Sequence, residues 1–107
     1  MAFFRYVSKG EAAIVMASLP MKVPNINRHG LPKIVYFTDN LYRTASAAEL
    51  ALQIGLHNPH GATPSPTDRL DLDLSGCVYA YHGIVPHGTG TEYTTRDSPL
   101  VTAITAI

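Results

Sequence analysis

Residues 69–75, RLDLDLS, alternate strictly, with Leu70, Leu72 and Leu74 on one side and Asp71 and Asp73 on the other. Successive side chains leave a pleated strand on opposite faces, so this period of two predicts a half-buried β-strand with its aspartates toward solvent. That reading accounts for both aspartates without a bound cation. Three more strand-type runs follow: CVYAYHG (77–83), EYTTRD (92–97) and LVTAITAI (100–107). Toward the N-terminus the pattern changes. AFFRYV (2–7) and IVYFT (34–38) are aromatic and β-branched and predict strands, each followed by a helical signal. Ser8-x-x-Glu11 precedes AAIVMASL, and Ser46-x-x-Glu49 opens an alanine-rich stretch. Both have the capping-box form, predicting a helix of about ten residues after Ser8 and a second from Ser46 to about Gln53, stopped by Gly55. Pro20 and Pro24 end the first helix, and residues 20–33, with Asn25, Asn27 and Gly30, read as loop. GLHNPHGATPSP (55–66) also reads as loop. Strand, helix, strand, helix and then consecutive strands predict an α+β class rather than a doubly wound sheet.

The 107 residues predict one domain spanning 1–107. Charged residues make up 15% and hydrophobic ones 46%, a balance that argues against disorder. The longest uninterrupted apolar run, Ala12 to Ala17, is too short to cross a bilayer, and MAFFRYVSKG lacks the basic-then-apolar pattern of a signal peptide. No membrane association is expected. Cys77 is the only cysteine, which excludes an internal disulfide and a cysteine-rich zinc site. Net charge is zero but uneven: residues 1–43 balance at +4 and residues 44–107 at −4. The basic half suits an anionic ligand such as a dinucleotide, or simply attracts the acidic half. No basic run is dense enough to predict extended nucleic-acid binding.

Near the C-terminus, HGTGTEYTT (87–95) places Glu92 just after two glycines. A turn explains the glycines but not the glutamate. Gly88-Thr89-Gly90 lacks the Lys-Ser/Thr of a phosphate-binding loop and leads into a strand rather than a helix. No G-x-S-x-G elbow occurs. His57-x-x-His60 is the one close histidine pair, interrupted by Pro59, and nothing nearby completes a metal ligand set, so no metal is expected. Three residues stand out together. Arg5 sits within an apolar strand, where a charge needs a partner. Thr38 puts a hydroxyl at the tip of the second strand, and Glu92 opens a later one.

This Arg, hydroxyl, Glu order resembles the Arg-Ser-Glu class of ADP-ribosyltransferase toxins. The sequence is similar to the C-terminal toxin domains of bacterial Rhs-type polymorphic toxins through FRYVSKGEA (4–12), GLPKIVYFTDNLY (30–42), ASAAELALQIG (45–55), NPHGATPSPTDR (58–69) and HGTGTEYTT (87–95). It looks most like members that modify the translation machinery, such as elongation factor Tu. The resemblance implies a split β-sheet sandwich with two short helices, and an enzyme that transfers ADP-ribose from NAD to a macromolecule. It implies Glu92 as catalytic carboxylate, Arg5 as the NAD anchor and Thr38 as a supporting hydroxyl. Tyr6, Phe37 and Tyr42 are candidate stacking partners for nicotinamide, so that Arg5, Tyr6, Phe37, Thr38 and Tyr42 form the expected NAD site. Gly90, Thr91 and Tyr93 are candidates for target recognition. It further implies a secreted effector of interbacterial competition, delivered by a larger protein such as a type VI secretion Rhs protein, acting in the target-cell cytoplasm and bound by a cognate immunity protein. The chain departs from the family pattern twice. Its central motif is Phe37-Thr38-Asp39 rather than Ser-Thr-Ser, and Gly90 stands where arginine-modifying relatives carry a second glutamate, which leaves the acceptor open.

Two other readings fit the same residues. A metal-free ribonuclease toxin would use His82 or His87 as acid or base with Glu92. A non-enzymatic interaction module would use the glycine loop only for contact.

Overall fold

The computed structural model describes residues 1–55, 57–58, 61–62 and 65–107, with 57–58 and 61–62 described by their backbone alone. In chain order the elements are β1 (Phe3–Val7), α1 (Lys9–Ala17), β2 (Val35–Phe37), α2 (Ala45–Leu52), β3 (His57–Asn58), β4 (Gly61–Ala62), β5 (Asp68–Asp73), β6 (Tyr79–Ile84), β7 (Thr91–Thr95) and β8 (Leu100–Ala106). The longer strands form two three-stranded antiparallel sheets, ordered β1-β5-β8 and β2-β7-β6. The class is α+β, as the order of patterns predicts.

The alternating stretch becomes β5, the central strand of the first sheet. Leu70 lies opposite Arg5 of β1 and Ile104 of β8 and is fully buried. A core of Val7, Ala12, Val15, Val23, Val35 and Val101 surrounds it. On the other face Arg69 pairs with Asp71 at 3.0 Å and lies over the Phe4 ring, 5.5 Å from its centroid. Next to Asp71 the register with β8 shifts: Asp71 faces Ala103 and Leu72 faces Val101. The extra residue, Thr102, therefore belongs to β8, and the leucine alternation of β5 continues unbroken.

Both helices begin with a hydroxyl cap, but only one where the sequence pattern puts it. Ser8 Oγ accepts from the Glu11 backbone N–H at 3.3 Å, as the first capping box predicts. The second helix is capped by Thr44, whose Oγ1 accepts from Ala47 N at 3.2 Å, so α2 starts two residues before the expected boundary after Ser46. It ends at Gln53, in the left-handed region at φ 55°, shortly before Gly55 at φ 75°. The side chain of Glu49 is not turned back to a cap; it accepts from Ser65 Oγ at 3.0 Å.

Residues 20–33 are mainly irregular, with isolated bridges at Lys22 to Leu100 and Ile26 to Pro32. Asn27 Oδ1 accepts from the N–H groups of His29 and Leu31, which gives that turn its mechanism. The segment read as loop over 55–66 contains a short antiparallel pairing, His57 with Ala62 and Asn58 with Gly61. His60 lies outside the described residues, so the His57-x-x-His60 pair does too.

The two sheets meet where Phe4 of β1 bridges Thr38, one residue past β2. A second core sits at this junction, formed by Phe3, Phe37 and Leu74 with Tyr93 packed against it. Phe37 stacks on Tyr93 with centroids 5.6 Å apart, and Phe3 meets both rings edge-on. Cys77 is half-buried against the same cluster.

Candidate functional site

Beside the junction of the sheets opens a cleft of about 350 Å³. Its walls come from β1, from Tyr36 to Thr38, from the end of α2 and from the start of β7. Arg5, Thr38 and Glu92 all line it. The volume is at the low end of what small-molecule sites usually offer.

Arg5 has the partner that its apolar surroundings require. Its Nε donates to Glu11 Oε2 at 2.6 Å and its Nη2 to Glu11 Oε1 at 2.9 Å, while Nη1 donates to the Tyr36 carbonyl at 2.7 Å. The two side chains are 18% and 17% exposed, so water does little to screen the pair. Burial pushes the Glu11 carboxyl up, but the hydrogen bonds and charge of Arg5, with the charge of Lys33, outweigh it and hold the group below the usual carboxylate range. Glu11 carries no functional signal in the sequence, since a capping box already explains it.

Thr38 is buried, at 1% exposure, and its hydroxyl belongs to a chain of hydrogen bonds. The Thr91 hydroxyl donates to Asp39 Oδ1. A hydroxyl has one proton, so across 2.9 Å the Thr91 oxygen accepts from Thr38. Thr38 Oγ1 in turn accepts from Asn40 N at 3.1 Å, and Asn40 Oδ1 accepts from Thr91 N at 2.8 Å. Tyr93 donates its hydroxyl to Asp39 Oδ2 at 3.2 Å. Thr38 thus fastens the residue before Glu92; none of its hydrogen bonds goes to Glu92 itself. Asp39 and Asn40 complete this network, and sequence reasoning missed them because Thr-Asp-Asn after a strand reads as an ordinary turn.

Glu92 is the second residue of β7, with 21% of its side chain exposed. It lies opposite Gly83 at an irregularity where the pairing skips His82. Bulges re-aim side chains, and His82 Nε2 stands 3.8 Å from Glu92 Oε2. His87 sits in the preceding turn at φ 63° and is exposed.

The two glycines before Glu92 have a reason beyond bending. The N–H groups of Thr89 and Gly90 both donate to the Ala51 carbonyl near the end of α2, at 3.1 and 3.0 Å. A Cβ at Gly88 would stand 2.2 Å from that same oxygen, and one at Gly90 would stand 2.5 Å from Leu52 Cδ2. Glycine is required by close approach to the helix. Gly90 is buried and offers little surface to a target, while Thr91 and Tyr93 are half-buried.

The stacking candidates separate. Tyr6 and Phe37 line the cleft but are each 4% exposed. Tyr6 Oη accepts from Tyr42 N and donates to the Asn40 carbonyl at 3.1 Å, holding the 40–42 turn against β1. Tyr42 lies beside Tyr6, centroids 5.6 Å apart, and is not part of the cleft wall. Tyr36 is 45% exposed and lines the cleft, pointing outward between the buried Val35 and Phe37 of β2. Among the described residues no cluster of three or more His, Cys, Asp or Glu is placed to hold a metal ion, and no helix is long and apolar enough to cross a membrane.

Comparison with protein-family models, with curated proteins and with solved structures finds no match for this chain.

Proposed function

We propose that residues 1–107 act as an ADP-ribosyltransferase toxin domain of the Arg-Ser-Glu class, with NAD as substrate. The observation that carries this reading is that Arg5, Thr38 and Glu92, far apart in the sequence, line one cleft. In the reaction the bond between ribose C1′ and the nicotinamide nitrogen breaks, and nicotinamide leaves as a neutral base with the bonding pair. Positive charge develops on the ribose, as in glycoside cleavage. Glu92 stabilises that charge, an effect larger in the transition state than in the bound substrate. The acceptor's lone pair then forms the new bond at C1′ and its proton passes to solvent. Arg5 holds the phosphates, a task that suits a planar guanidinium. Thr38 supports Glu92 indirectly, through Thr91, and Tyr36 is the exposed ring beside the site. The acceptor is a macromolecule of the translation machinery, such as elongation factor Tu. The domain would act in the cytoplasm of a target cell, with an immunity protein as partner, on the split-sheet fold of that enzyme class.

The test is incubation with labelled NAD and a bacterial extract. A labelled macromolecule, lost in Glu92→Gln at an unchanged melting temperature, is the expected result. Full activity in Glu92→Gln overturns the assignment. The 3.8 Å approach of His82 to Glu92 favours a second reading, a metal-free ribonuclease. It predicts RNA cleavage that does not need NAD.

A further inference from the structure

We propose that Glu11 is a positioning residue for NAD binding, acting through Arg5; this rests on the transferase reading above. A guanidinium has five N–H groups. Glu11 takes the Nε and one Nη2 hydrogen, and the Tyr36 carbonyl takes one from Nη1. Among the described residues two hydrogens are left without a partner, one on each terminal nitrogen, on a side chain that lines the cleft. Those two are the groups with which Arg5 binds an anionic phosphate oxygen. Glu11 grips the inner side of the fork at two points, so the long arginine side chain loses its rotamer freedom on folding and not on ligand binding. Preorganisation of this kind raises affinity without a new contact to the ligand. Glu11 is itself fixed by its place in the first turn of α1, whose Ser8 cap accepts its backbone N–H at 3.3 Å. Helix α1 is thereby tied to the cleft, although Glu11 does not line it.

The opposite sign is equally definite. If Glu11 competed with phosphate for Arg5, removing its charge would strengthen NAD binding. The experiment is steady-state hydrolysis of NAD by the full chain, with nicotinamide release as readout, for the wild type, Glu11→Gln and Glu11→Asp. Glu11→Gln should raise KM for NAD about tenfold with kcat within about threefold, the pattern of lost binding rather than lost chemistry. Glu11→Asp keeps the charge on a shorter arm and should raise KM by about threefold, an intermediate value. If Glu11→Gln does not fold, the Asp variant alone decides. An unchanged or lowered KM in the folded variants, with an active wild type, overturns the role of Glu11 and leaves the transferase reading standing. A wild type that releases no nicotinamide overturns both.

Discussion

Phe4 and Thr38 exchange two backbone hydrogen bonds, at 2.8 and 2.9 Å, and through them the strand that carries Arg5 is joined to the chain just past the end of β2. Arg5 is one residue from this junction, and Thr38 reaches Thr91, next to Glu92, from it. The three residues of the candidate site are therefore tied together by main chain and by one hydroxyl.

Thr38→Val keeps the backbone junction and removes that hydroxyl. Asn40 N–H and the Thr91 oxygen, both half-buried, each lose a partner, which should cost about 1 kcal/mol. Urea denaturation at neutral pH measures it. A loss near zero would show that the hydroxyl chain does not hold the start of β7.

Gly88 and Gly90 differ in what an added methyl meets. At Gly88 it meets the Ala51 backbone carbonyl at 2.2 Å, which can move only with the helix. At Gly90 the nearest atom is the end of the Leu52 side chain, at 2.5 Å, though the Tyr42 hydroxyl follows at 2.9 Å and Ala51 O at 3.2 Å. Gly88→Ala should therefore destabilise more than Gly90→Ala, with overpacking costs of about 1–3 kcal/mol. Thermal melts of the two variants give the order.

Glu11 makes stability depend on pH. Its folded-state pKa lies below the ordinary value of 4.5, so the folded chain binds this proton less readily than the unfolded chain. The stabilising contribution is complete above the unfolded value and is lost as pH falls through the folded one. Melting temperature should therefore fall from pH 6 to pH 3, with a shallower slope in Glu11→Gln. Parallel slopes in the two proteins would show that Glu11 contributes nothing to the acid limb.

His82 is 62% exposed at the side chain and touches Glu92 only at 3.8 Å. His82→Ala should leave NAD consumption within about threefold of wild type, since an exposed group at that distance adds little to a carboxylate's field. Loss of an NAD-independent RNA cleavage in the same variant would favour the ribonuclease instead.

What the sequence reveals of all this follows the range of each interaction. The β5 alternation and the Ser8 cap depend on neighbours within a few residues, and both are legible. Thr44 and Ser46 are two hydroxyls in competition for one helix start, and the pattern alone selects the wrong one. Arg5 advertises the need for a partner but not which, because Glu11 is supplied by the next element. Asp39 and Asn40 acquire their roles only when β7 is laid beside β2. The glycines before Glu92 read as freedom to bend, whereas the constraint on them comes from the Ala51 carbonyl, which no local spacing exposes. Arg5, Thr38 and Glu92 are found by their order along the chain, yet the cleft that gathers them depends on tertiary packing.

The β1-β5-β8 order has a kinetic consequence. Strand β5 pairs with Phe3–Val7 on one side and with Leu100–Ala106 on the other, so its sheet cannot be completed from consecutive segments. Each pairing closes a loop of tens of residues before it is rewarded, which slows folding relative to hairpin-rich sheets. While the chain emerges from a ribosome, Phe4 can pair with Thr38 early, but Arg5 gains its neighbour across the sheet only once Leu70 has been made. The cleft gains its last wall only when Thr91 and Glu92 have been made.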